Sequence, residues 1–320
     1  MPVSPLRTSP ARTSVVGAIH GAVVLTGCAE IGIEEDTFES SPLPAIADER
    51  AADVLATLDA AVNEANAARD PELLATVVAE PLLGIDVARY ALDATADPED
   101  ADPLPAVEHI DPTVFVPRFT SYPQWFVTAA AIHADAPLRL EVLGRDTASA
   151  PWIVSLSTDL LAGVEFPELA LDEDGYVIAG SASTIEDLAA HAAGLSGGEA
   201  VAGGASFSDD VWTTARRATD AERGAAVADA AAVQVTYEVT SVLPQSLETA
   251  DGGTLVFYAL AEDVVYQVQP TYFLQLDEAT AALVGAAEIT TSLTERWAAQ
   301  LAVYLPPAPD AAARVWTGSA

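Results

Sequence analysis

Residues able to do proton-transfer, nucleophilic or metal chemistry are few in this sequence, and they are scattered. Histidine occurs four times, as His20 in an apolar N-terminal run and then as His109, His133 and His191. The spacing of His133-Ala134-Asp135 turns both side chains to one face of a strand, which could begin a metal site. At a strand end beside Pro137, however, the plainer reading is a solvated edge. Glu108-His109-Ile110-Asp111 carries three ligand types inside a proline-rich acidic loop. His191 is flanked by alanines with no acid one turn away. Ser155 and Ser157 fall on a predicted strand, and no G-x-S-x-G elbow occurs to strain and expose a nucleophile. Asp172-Glu173-Asp174-Gly175 opens like a calcium loop but lacks the spaced ligands and closing glutamate. All 13 basic residues are arginine, so lysine Schiff bases, the phosphate-loop lysine and the serine–lysine pair are excluded. Cys28 is the one cysteine, which removes thiol catalysis, disulfides and cysteine-ligated metals. The expectation is no catalytic residue, no metal site, no cofactor and a non-enzymatic role.

A ligand pocket is a better match to the residue types. Tyr122, Trp125, Phe126 and Trp152 lie on predicted strands. Aromatics so placed are mostly core; the alternative is a pocket lined by Trp125 and Trp152, with Arg118 or Arg139 as its polar anchor. An arginine on a half-apolar strand can meet a carboxylate or phosphate. Its ordinary alternative is an ion pair with one of the many acids.

Those residues must be positioned by helices and strands that alternate along the chain. Asp48–Arg69 has Val54, Leu55, Leu58, Ala61, Val62 and Ala65 at helical spacing, with Asp48 as N-cap. Asp70-Pro71-Glu72 restarts a helix with Asp70 as cap and Pro71 at its first position. A third helix is expected over 84–95, and a proline-broken loop over 97–111. From Thr113 the period shortens: Val114–Val116, Trp125–Val127, Leu138–Leu143 and Trp152–Leu156 read as strands. Within Leu138–Leu143, apolar Leu138, Leu140 and Val142 alternate with Arg139 and Glu141, as in a half-buried strand. A turn is expected at Asp172–Gly175, where Gly175 supplies positive φ. Helix returns at Ser183-Thr184-Ile185-Glu186, a capping-box pattern, and again at Asp209–Ala230. A glycine-rich segment lies between them at Gly194–Gly204. Strands follow at Val233–Val242, Thr254–Val268, Leu283–Thr291 and Ala298–Leu305. Helices then sheet thus occurs twice, with Trp152 and Trp297 each opening a late strand, which suggests a duplication.

The N-terminus addresses the chain. Arg7 and Arg12 precede the apolar run Ser14–Cys28, no acid appears before Glu30, and the run is shorter than the roughly 20 residues that span a bilayer. Leu25-Thr26-Gly27-Cys28 resembles the lipobox of bacterial lipoproteins. That resemblance implies cleavage between Gly27 and Cys28, a diacylglyceryl group on Cys28 and a chain anchored at the extracytoplasmic face of the cell membrane. Two acyl chains suffice for stable anchoring, at about 0.8 kcal/mol per buried methylene. The order of elements in each half resembles the NTF2-like and cystatin-like α+β folds, in which helices pack on a curved sheet. Tyr122-Pro123-Gln124-Trp125-Phe126, Ala150-Pro151-Trp152, Asp174-Gly175-Tyr176 and Val303-Tyr304-Leu305-Pro306-Pro307 resemble a family of actinobacterial lipoproteins without an assigned function. This adds no mechanism.

The formal charge is −35 over 320 residues, and cleavage before Cys28 would make it more negative by two. Such a surface repels nucleic acid and anionic headgroups, so the acyl group alone is expected to touch the membrane. The organisation expected is a signal segment at 1–27, an acidic tether at 28–47, and two α+β halves at 48–181 and 182–320. Each half has N-terminal helices packed on a curved antiparallel sheet. The function expected is an envelope binding or scaffold module; the alternative is a binder of an apolar or anionic small molecule in a cone pocket, and the third reading is a hydrolase.

Overall fold

A computed structural model describes residues 41–95, 104–180, 185–197, 207–240, 245–308 and 312–319. The signal segment, Cys28, the tether up to residue 40, the start of the capping box at Ser183-Thr184 and most of the glycine-rich segment lie outside the described residues. In chain order the elements are β1 (Leu43–Pro44), α1 (Asp48–Ala68), α2 (Pro71–Leu74), α3 (Leu82–Asp93), β2 (Ile110–Phe115), β3 (Arg118–Phe119), β4 (Gln124–Ala131), β5 (Leu138–Arg145) and β6 (Ile153–Asp159). They continue with α4 (Ile185–Leu195), α5 (Val211–Val227), β7 (Ala231–Val239), β8 (Gln245–Glu248), β9 (Thr254–Val268), β10 (Leu274–Gln275), α6 (Glu278–Val284), β11 (Glu288–Ile289), β12 (Ser292–Leu305) and β13 (Arg314–Ser319). The fold is α+β.

Two antiparallel sheets carry it, ordered β2-β4-β5-β6 and β13-β12-β9-β7, with β8 also paired to β9. Because strand side chains alternate, each sheet offers one face to the other sheet and one to helices. Val127, Leu140, Val142 and Leu156 of the first sheet meet Leu247, Leu255, Phe257 and Ala302 of the second in one buried cluster. On the outer faces, Phe126, Leu143 and Val154 pack on Ala51, Leu55 and Leu58 of α1. Val256, Tyr258, Leu301 and Val303 pack on Leu188, Ala192 and Trp212 of α4 and α5. The layers therefore run helix, sheet, sheet, helix. The two halves share the central core: the connection between them hydrogen-bonds to β8 through Ala170 and Gly180, and Leu160 after β6 bridges Thr317 of β13.

Local signals account for the boundaries. Asp70 caps α2 by accepting from the Glu72 and Leu73 amides, with Pro71 inside the first turn, and Asp210 caps α5 through the Thr213 amide. The first helix begins at Asp48, but its cap position is Ala47 and no side chain caps it. The turn at Asp172–Gly175 forms, with Gly175 at φ 86°. Tyr122 lies in a bend before β4 rather than on a strand. The apolar run expected as a strand over 283–291 instead contains the end of α6, capped by Asp277 and closed by Gly285, and the short β11. Asp277 and Gly285 supply both helix-end signals there. Trp297 sits inside the long β12 rather than at its start, so it does not mirror Trp152.

Phe257 is fully buried between the sheets. Phe257→Ala is expected to cost about 3–5 kcal/mol. Tryptophan fluorescence and far-ultraviolet dichroism should lose their signals in one coincident urea transition; two separated transitions would contradict a core shared by the halves.

Candidate functional site

The outer face of the first sheet does not close fully on its helices. Between α1, α3, the segment 104–109 and strands β5 and β6 lies a cavity of about 250 Å3. Leu58 and Val62 of α1, Leu82 of α3 and Val154 of β6 give it an apolar side, while Asp86 and Arg89 of α3, Arg139 and Glu141 of β5, and His109 give it a charged one.

His109 is the hub of the charged side. It stands one residue before β2, on a segment clamped to α1 by side chains one helical turn apart. Asn63 donates to the Val107 carbonyl and accepts from the Val107 amide, both at 2.8 Å. Asp59 accepts from the His109 amide at 3.0 Å and lies 2.6 Å from Nδ1. The other ring nitrogen, Nε2, lies 2.9 Å from Glu141 Oε2. Each nitrogen faces an acceptor carboxylate, so the ring is satisfied when both donate, as an imidazolium. Burial opposes that charge, but the hydrogen bonds to Asp59 and Glu141 outweigh it and push the pKa up to about 9. Glu141 Oε1 in turn accepts from the Ser157 hydroxyl at 3.1 Å, and the Ser157 amide donates to Gln300 Oε1 of β12 at 2.5 Å. The chain Asp59–His109–Glu141–Ser157 thus runs from the helix layer through the sheet to the second half.

Two arginines complete the wall. Arg139 makes a forked pair with Asp159, at 2.7 and 3.2 Å. Arg89 lies 3.0 Å from Asp86 and 3.4 Å from the Asn66 side-chain oxygen Oδ1. Burial raises the pKa of Asp86 and nearby Glu141 adds to this, against the opposing pull of Arg89 and Arg139.

Of the four residues expected at a pocket, only Arg139 reaches this cavity. Trp125 is on the opposite face, half-buried with the inter-sheet cluster and edge-on to Phe119 at 5.7 Å. Trp152 is on the helix face but packs against Phe126 at 4.8 Å and under the Arg145 guanidinium at 4.5 Å. Arg118 pairs with Asp172 and Asp174 and bonds the Pro42 carbonyl. The physical reason is the alternation itself: Trp125 and Val127 share the face that the second sheet covers. His133 stands exposed at the cavity rim, and among the described residues no group of three His, Cys, Asp or Glu could hold a metal ion. His191 is buried, stacked on Phe207 at 4.1 Å and bonded to the Tyr258 hydroxyl, and burial pushes its pKa down to about 4. The Ser155 hydroxyl donates to the Val142 carbonyl at 3.4 Å.

The family described as Domain of unknown function (DUF8094) matches residues 42–319, which include every residue of this site. The chain belongs to that family. It is also 28% identical over 282 residues to an uncharacterized lipoprotein of Streptomyces coelicolor, covering 80% of this chain and 78% of the relative. No solved structure matches it. Among the described residues of this DUF8094 member, no helix is long and apolar enough to cross a membrane.

The pH dependence follows from His109. Its folded pKa is raised above the ordinary 6.5 to about 9, so its stabilisation is complete below pH 6.5 and lost as pH rises through 9. The full effect is on the order of 3 kcal/mol. Urea titrations of wild type and His109→Gln should show the wild-type advantage at pH 6 shrinking by pH 10; a constant difference would exclude a charged His109.

Proposed function

We propose that the protein is a lipid-anchored, extracytoplasmic and non-enzymatic binding module, with the cavity of its first half as the site for a small molecule. The observation that carries this reading is the cavity itself. One wall is aliphatic and the other is a set of charges fixed by neighbouring residues, the arrangement that orients a small ligand. At about 250 Å3 it exceeds the roughly 150 Å3 that admits benzene in an engineered apolar cavity. A binder is favoured over a scaffold on this ground.

The same geometry argues against hydrolysis. A general base needs a free lone pair near its working pH, and an imidazolium donating from both nitrogens has none. The Ser157 hydroxyl donates to Glu141, whose other oxygen is engaged by His109. Anchoring is supported by Leu25–Cys28 and by the lipoprotein name of the Streptomyces relative. The likeness of the halves to NTF2-like folds belongs to the same proposal, supported in the first half by helices, then a sheet, with a cavity between them.

Both parts are open to direct test. Cys28→Ala should move the protein from the membrane to the soluble fraction or leave it unprocessed; unchanged partition into detergent would refute the anchor. Native mass spectrometry of the membrane-extracted protein should find a small bound molecule that is lost from Val62→Phe, which fills the cavity from α1. An identical ligand-bearing fraction in both proteins would place binding elsewhere.

A further inference from the structure

The charges around the cavity go further than the binding role on which they rest. We propose that its ligand is an organic monocation, an amine or quaternary ammonium with a compact apolar body, held between Asp86 and Glu141 and packed on Leu58, Val62, Leu82 and Val154. Four carboxylates lie in the wall or are bonded to it: Asp59, Asp86, Glu141 and Asp159. Facing them are three cations, His109, Arg89 and Arg139. Asp59 and Asp159 stand behind the lining, on His109 and Arg139; with all of these groups ionised, the wall and the carboxylates behind it together carry one uncompensated negative charge, inside a chain whose overall field already attracts cations.

The alternatives fit less well. A ligand carboxylate would have to compete with Asp159 for the fork of Arg139, or with Asp86 and the Asn66 side-chain oxygen for Arg89. It would also lie beside Asp86 and Glu141, where like charge is costly in a partly desolvated site. A bare metal ion is poorly served by a cavity with an aliphatic wall, and no three-ligand group is present among the described residues. An organic cation satisfies both sides at once: its charge compensates the excess carboxylate and its carbon body covers the aliphatic wall. The upward shift of Asp86 has the same origin, since burial and Glu141 both disfavour its charge; a bound cation would relieve it.

The test uses the full chain in nanodiscs of zwitterionic lipid, with empty nanodiscs as blank, and calorimetric titration at pH 7.5. Four probes of similar size are used: n-hexylammonium, 1-hexanol, 6-aminohexanoate and hexanoate. Hexylammonium should bind at least tenfold more tightly than hexanol, and hexanoate most weakly. Asp86→Asn should bring hexylammonium to within about twofold of hexanol while leaving hexanol unchanged. Arg89→Gln alters a solvent-facing side chain and enlarges the negative excess, so it should tighten hexylammonium; this keeps the test decisive even where Asp86→Asn folds poorly. Tighter binding of hexanoate or 6-aminohexanoate than of hexylammonium, or equal binding of hexanol and hexylammonium, overturns the cation and leaves the binding role standing. No binding by any of the four overturns the binding role itself.

Discussion

The His109 imidazolium, held between Asp59 on α1 and Glu141 on β5, is the interaction on which the first half depends. Two carboxylates face its ring from opposite sides. With a neutral ring, one of them would lose its imidazole donor while remaining largely buried, and breaking a buried charge pair costs about 3–5 kcal/mol. The charged ring turns that liability into a strut between the helix layer and the sheet. The Asn63 clamp, one turn along α1, fixes the segment that carries the ring. Beside the strut, α1 and α3 stand off the sheet, and the cavity occupies the space that aliphatic side chains leave open.

The second half solves the same problem differently. Glu262 of β9 is fully buried on its sheet's outer face, as Glu141 is nearly so on the first. It is met by Arg216 and Arg223 of α5 rather than by a histidine. Asp220 accepts from the Tyr237 hydroxyl, and burial with that carboxylate pushes the tyrosine pKa up to about 12. Nearby the space is filled by His191, Phe207, Trp212 and Tyr258. Each half thus buries a sheet carboxylate under helix-side partners, but beside Glu141 the helices leave the cavity. The two sheets back onto each other through Val142, Leu156, Phe257 and Ala302, so the struts are mounted on one shared core.

Much of the fold was legible because the signals were local. Asp70-Pro71 caps a helix, Gly175 turns the chain, and Thr254–Val268 is one long apolar strand. The site was much less so. In Leu138–Leu143 the alternation is plain, yet a polar strand face looks the same whether it meets water or a charged cavity, so nothing in the pattern singles out Glu141. Asp59 and Asp86 sit on helix faces that look like ordinary amphipathic surfaces. His109 was visible as part of Glu108-His109-Ile110-Asp111, but its partners are 50 and 32 residues away, and no spacing rule joins them. Trp125 and Trp152 drew attention by size, while the layer covering each face, which decides whether an aromatic is core or lining, is a tertiary fact.

The protonation of His109 is the most direct test of this arrangement. Nitrogen-15 NMR of histidine-labelled protein, with the His109 signals assigned by their loss in His109→Gln, reports both ring nitrogens separately. Both should carry protons at pH 7.5, with a titration midpoint near 9. A neutral ring at pH 7.5, titrating at or below the ordinary 6.5, would contradict the charged strut and the cavity electrostatics built on it.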